Sequence, residues 1–113
     1  MVSLTNYELL DNCINMSHYN ISLYIYDKLK NKYRYNNKQW YLVDNDKDNQ
    51  EIKLKEEIIY IITNDFGNRS IYWSTLSNYE NDIKSVKLLQ IIDKLKNEKF
   101  LKDIIKELAQ FYE

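Results

Sequence analysis

Lys28-Leu29-Lys30-Asn31-Lys32-Tyr33-Arg34-Tyr35-Asn36-Asn37-Lys38-Gln39-Trp40-Tyr41-Leu42-Val43 is where the chain stops spacing its apolar residues like a helix and starts alternating them like a strand. Tyr33-Arg34-Tyr35 and Gln39-Trp40-Tyr41-Leu42-Val43 are short, aromatic and β-branched, and Asn36-Asn37-Lys38 separates them. That pattern predicts a small hairpin. What lies before it reads as helix, and nearly all that follows Leu54 reads as helix again.

Upstream, Thr5-Asn6-Tyr7-Glu8 has the form of a capping box, with Leu4 and Leu9 at the positions of a hydrophobic staple. A helix from Asn6 to about Met16 follows. Ser17 is placed to cap a second helix running from His18 to about Lys30, with Ile21, Tyr24, Ile25 and Leu29 on one face.

Downstream, Asp44 to Gln50 is a polar, acidic loop, and Glu51 to Leu54 either adds a third short strand or feeds the next helix. Leu54, Ile58, Ile61 and Ile62 mark that helix to about Asp65, although isoleucine's β preference leaves a strand over Ile58 to Ile62 as the rival. Gly67 is placed to end the helix as a C-cap. Ile71, Tyr72, Trp73 and Leu76 then form a short helix or an apolar loop that plugs the core. Ile83, Val86, Leu89, Ile92 and Leu95 mark the next helix. Asn97 caps a last one with a broad apolar face of Phe100, Leu101, Ile104, Ile105, Leu108, Ala109 and Tyr112. The three-residue joint between these two predicts an antiparallel or angled pair. The expected fold is mainly α (α+β). It is one small helical domain over residues 1–113, of about five helices, with a short β-hairpin between the second and third.

Composition limits the function classes. At 113 residues the chain can bury one modest core, and its 44% hydrophobic and 29% charged content is that of a globular fold. No apolar run reaches the roughly 18–20 residues of a membrane span, and the N-terminus lacks the pattern of a secretory signal. The lone Cys13 cannot pair within the chain, so an intracellular location is expected. With one glycine and no proline, tight turns fall to Asn, Asp and Ser. The 11 tyrosines, with many Asn, Lys and Ile, match an AT-rich coding sequence.

No catalytic constellation is visible. One glycine cannot build a phosphate loop. His18 and Cys13 lack the spacing and the companions of a zinc site, so they read as a first-turn polar residue and a core residue. Asp44, Asp46 and Asp48 alternate like the start of a calcium loop, but Asn49 and Lys55 stand where such a loop needs glycine and glutamate. Neither a metal nor another cofactor is expected, and the chain reads as non-enzymatic.

What remains is charge beside aromatic rings. Lys28, Lys30, Lys32, Arg34 and Lys38 carry five positive charges with no acid between Lys28 and Lys38, and Trp40 follows. These six are the candidate nucleic-acid contacts, because cations meet phosphates and aromatic faces stack on bases. The net charge of −1 confines any such role to a local patch. The competing reading is structural: Tyr and Trp are core material, and lysines at a helix C-terminus favour its dipole.

The run Ser17-His18-Tyr19-Asn20-Ile21-Ser22-Leu23-Tyr24-Ile25-Tyr26-Asp27-Lys28-Leu29-Lys30-Asn31-Lys32-Tyr33, followed by Trp40-Tyr41, resembles the domain preceding the helicase core in poxvirus-type primase-helicases of large DNA viruses and phages. There a helix of the form His-x-x-Val-Ala-x-x-x-Tyr leads into a strand and a Trp-Tyr pair. Ile91-Ile92-Asp93-Lys94-Leu95-Lys96, Phe100-Leu101-Lys102-Asp103-Ile104-Ile105-Lys106-Glu107 and Phe111-Tyr112-Glu113 are similar to that family's C-terminal pieces. This chain departs from the pattern in carrying Asp44 to Gln50 where a second aromatic element, His-Arg-Trp, is usual. It also has Ser22 in place of the helical alanine, and it stops about where an ATPase would follow.

The resemblance implies a non-catalytic accessory domain in a virus-infected host cell, in its cytoplasm or nucleus. Such a domain supports oligomerisation and contacts single-stranded or forked DNA and replication proteins. The alternative is a free-standing viral or mobile-element protein-interaction module with no DNA binding.

Overall fold

Local signals at the N-terminus predict their own hydrogen bonds. In a computed structural model describing residues 5–44, 49–76 and 78–112, the Thr5 hydroxyl accepts from the Glu8 backbone N–H at 3.1 Å, and the Thr5 N–H donates to the Glu8 carboxylate at 3.3 Å. Leu4, the other half of the expected staple, lies outside the described residues. The box starts α1 (Asn6–Asn12), which tightens into one 3-10 turn, Cys13–Asn15, instead of running on to Met16 as expected. Met16 closes the turn with a left-handed φ of 62°. Ser17 then caps α2 (His18–Leu29), its hydroxyl accepting from the Asn20 N–H.

The hairpin forms as predicted. β1 (Tyr33–Asn36) and β2 (Gln39–Leu42) pair antiparallel, with Tyr35 opposite Trp40 and Arg34 opposite Tyr41. Its two-residue turn puts Asn37 and Lys38 at φ 51° and 63°. This is the primed-turn geometry that matches strand twist, usually supplied by Asn-Gly. The Asp46 and Asp48 of the acidic loop lie outside the described residues.

Past the hairpin the sequence expectations need correcting. Of the two readings of Glu51 to Leu54 the helical one holds, and Ile58 to Ile62 is helix as expected and not the rival strand, so the correction concerns where that helix ends. α3 (Glu51–Thr75) runs 25 residues without a break, straight through Gly67, which is not a C-cap. A glycine inside a helix costs about 1 kcal/mol relative to alanine. Side-chain bonds beyond it outweigh that cost. The Arg69 guanidinium donates to both Asp11 oxygens at 3.0 and 2.8 Å, the Trp73 indole N–H to Asp11 at 3.1 Å, and the Ser70 hydroxyl to the Ser85 carbonyl at 3.0 Å. The same guanidinium lies over the Tyr7 and Tyr72 rings, 4.4 and 4.3 Å from their centroids. Most of the segment expected to be a short helix or plug, Ile71 to Thr75, is therefore the last turn and a half of one long helix, with Leu76 at its C-cap. It ends where Ser74 and Thr75 hydroxyls take the carbonyls of Ile71 and Tyr72.

Asn78 caps α4 (Tyr79–Lys94) by accepting from the Asn81 N–H, and Asn97 caps α5 (Glu98–Phe111) by accepting from those of Lys99 and Phe100. The joint Leu95–Asn97 is three residues, as expected, but α5 does not pack back along α4: α4 lies on α3, and α5 lies on α2. The apolar face of α5 is buried as predicted from Phe100 through Ala109, with Tyr112 half-buried. That of α4 is turned round. Leu88 and Ile91 are buried beside Asn81 and Ser85, whereas Ile83, Val86 and Leu89 of the expected stripe are exposed and only its end, Ile92 and Leu95, is covered.

The core centres on Ile21, Ile25, Leu54, Ile58, Ile62, Phe66, Ile104 and Leu108, all shut off from solvent. Cys13 is buried with them. Its thiol faces the Leu9 and Asn20 carbonyls, and burial pushes its pKa up to about 12. No helix among the described residues is long and apolar enough to cross a membrane.

Candidate nucleic-acid interface

Strand alternation sends Tyr33, Tyr35 and Trp40 towards the body of the domain and leaves Arg34 on the other face, where it stacks 4.5 Å over Tyr41. Trp40 is 2% exposed, gripped by Tyr35 at 4.8 Å and Tyr112 at 5.2 Å, so it supports the site from below and does not offer a free stacking face. The aromatic series continues through Tyr26 to Phe111, tying the hairpin to α2 and the end of α5.

The lysine run is drawn apart by partners on the helices. Lys32 sits 2.7 Å from Glu57, which also accepts the Tyr33 hydroxyl at 2.8 Å. Lys28 lies 3.7 Å from Asp65, the acceptor of the Tyr24 hydroxyl at 2.6 Å, and Lys30 lies 3.6 Å from Asp27. Burial, then the bond to a carboxylate, raises both tyrosines well above the ordinary phenol value. Of the six residues proposed from sequence, three lysines face carboxylates, Arg34 lies on the outer face of the hairpin, and only Lys38 and Trp40 come together.

They do so at a different site. Lys38, Tyr35 and Trp40 line a cleft of about 350 Å³ with Glu51 and Lys55 of α3 and with Lys102, Ile105, Lys106 and Ala109 of α5. Four lysines meet one carboxylate there. Lys55 is held by Glu51 at 3.7 Å, whereas Lys38, Lys102 and Lys106 are exposed. Lys38 reaches the rim because its turn holds a left-handed backbone, a conformation that costs a side-chain-bearing residue roughly 1–2 kcal/mol. Lys102 and Lys106 are four apart, so they share one helix face over Ile105 and Ala109. Sequence reading missed Lys55, Lys102 and Lys106. Their spacing was visible, but each also served as the polar side of an amphipathic helix, and nothing local placed α5 beside the hairpin.

Chemically the cleft offers three exposed ammonium groups around an apolar, aromatic floor, a setting for phosphates with a sugar or base edge between them. Among the described residues no three His, Cys, Asp or Glu side chains gather as a metal site would require. No family model, curated protein or solved structure matches the chain.

Proposed function

We propose that this chain is a non-catalytic accessory domain of DNA replication, of the kind that precedes the helicase core in viral primase-helicases. It holds the backbone of single-stranded or forked DNA in the hairpin–α5 cleft and supports assembly of its copies. The observation that carries the DNA contact is the convergence of Lys38, Lys55, Lys102 and Lys106, from three separate elements, on Tyr35 and Trp40. The segment order from Ser17 to Tyr112 supports the wider reading. With a net charge of −1 the binding is local and salt-sensitive.

Fluorescence anisotropy with single-stranded and forked DNA at low salt tests this. Changing Lys38, Lys102 and Lys106 together to alanine is expected to weaken binding and to lower the slope of log affinity against log salt by about 2, at roughly 0.7 per phosphate contact on a single strand. Neutralising Lys28, Lys30 and Lys32, already opposite carboxylates, leaves most of the affinity. Undiminished binding by the first variant sinks the cleft. No DNA binding by the native chain favours the alternative, a free-standing protein-interaction module. The exposed apolar residues of α3 and α4 support that second reading.

A further inference from the structure

α4 has two apolar sides and only one is used. Tyr79, Ile83 and Val86 are 79%, 37% and 51% exposed, and with Gln90 they form one stripe at three- and four-residue steps. Leu89 widens it towards α3. Among the described residues, ten of the 13 exposed large hydrophobics lie between Ile52 and Leu89, on α3, on α4 or at their junction, and α5 has none. Scattered exposed apolar residues need no partner, but a stripe along one helix does.

The charges on α4 say what the partner is. Its first turn is acidic, with Glu80 and Asp82, and Lys84, Lys87 and Lys94 follow towards the C-terminus. Glu80 and Lys87 both flank the exposed stripe on the same side, and neither has an ion-pair partner among the described residues. We infer that this face of α4 packs antiparallel against the same face of a second copy of the chain, about a two-fold axis passing between Lys84 and Ser85.

That axis sets Ile83 opposite Val86 of the second copy and Tyr79 opposite Gln90, each contact made twice as a two-fold requires. In antiparallel helices related in this way, equivalent flanks meet. Glu80 therefore faces Lys87 of the second copy, offset by two residues or about 3 Å along the axis, within reach of a lysine side chain. A parallel pairing in register brings opposite flanks together instead, and would set Glu80 beside Asp82 of the second copy, like charge against like. The inference rests on the assembly part of the reading above and shares no residue with the cleft, so it stands whether or not DNA is bound.

A pair of 16-residue helices is at the small end of specific interfaces, so the dimer is weak. Sedimentation equilibrium of the full chain without DNA, from about 10 μM to 1 mM, is expected to show mass rising from 13.8 kDa towards twice that value. Val86→Glu, at an exposed position, keeps the helical circular dichroism and stays monomeric. Glu80→Lys and Lys87→Glu each weaken the dimer about fivefold to tenfold, and the double variant restores it, since these residues are too far apart on one helix to pair. A chain that is monomeric throughout overturns both this inference and the assembly reading. Self-association untouched by Val86→Glu, or no recovery in the double charge variant, overturns this interface and leaves the assembly reading standing.

Discussion

The α2–α5 side of the molecule and the α3–α4 side are both helix pairs, and they are held together differently. On the first, α5 buries an unbroken apolar stripe from Phe100 to Ala109 against α2, and the aromatic series of Trp40, Tyr112, Tyr26 and Phe111 seals its edge. On the second, α4 meets α3 through Leu88 and Ile91 but also through the Ser70–Ser85 hydroxyl pair at 2.6 Å, and it keeps Ile83, Val86 and Leu89 outside. One side spends its apolar residues on the fold, and the other holds some in reserve. Apolar periodicity therefore locates helices on both sides and identifies the core face of α2, α3 and α5, but not that of α4.

The sharpest break in that comparison is a pair of truncations. Ile104→Ala, in the closed stripe of α5, is expected to cost about 3 kcal/mol in urea unfolding, from lost transfer energy plus a cavity. Val86→Ala on α4 stays within about 0.5 kcal/mol when measured on dilute protein. A large loss from Val86→Ala at that dilution would mean that α4 is turned the other way. Next in size, Asp11→Ala removes three hydrogen bonds from Arg69 and Trp73 and is expected to cost about 2 kcal/mol. Hydrogen exchange should show that loss as earlier opening of the end of α3, with α5 still protected.

Gly67→Ala moves the opposite way. A β-carbon there meets Ile92 Cδ1 at 3.9 Å, an ordinary contact, so the variant is expected to gain about 0.5–1 kcal/mol by helix propensity. A loss would show that the α3–α4 side tolerates no added atom. The smallest effect separates the sides by pH. Tyr33 is raised by burial and by Glu57, so its contribution is complete below the ordinary phenol value near 10 and declines as pH rises above it. Denaturation midpoints should therefore fall in that alkaline range, more shallowly in Tyr33→Phe.

Particular residues show how far the chain could be read. Thr5 with Glu8, Ser17, and Asn97 are caps whose partners lie within three residues, and each was legible because the chemistry is local. Gly67 misled because its local meaning, a stop, was overridden by Arg69 reaching back to Asp11, 58 residues away in sequence. Met16 and Lys38 take left-handed φ values that Asn or Gly would be expected to fill. Ser22 likewise acts over a distance: its hydroxyl donates to the Ile104 carbonyl at 3.0 Å, binding α2 to α5.

The candidate site divides in the same way. Lys38 and Trp40 were visible as neighbours in a hairpin, because hairpin geometry is set by a few adjacent residues. That Glu57 and Asp65 would face two of the window's lysines while Lys102 and Lys106 arrived from α5 was not visible. Charge adds across space, whereas sequence records only order. By itself the sequence determined the helices, their caps and the hairpin, since propensity, periodicity and capping act over a few residues. Only the tertiary structure decided which face of α4 is outside, that α3 is one helix, and which lysines share a cleft. Those outcomes depend on contacts between elements far apart in the chain, whose energies exceed the local preferences they override.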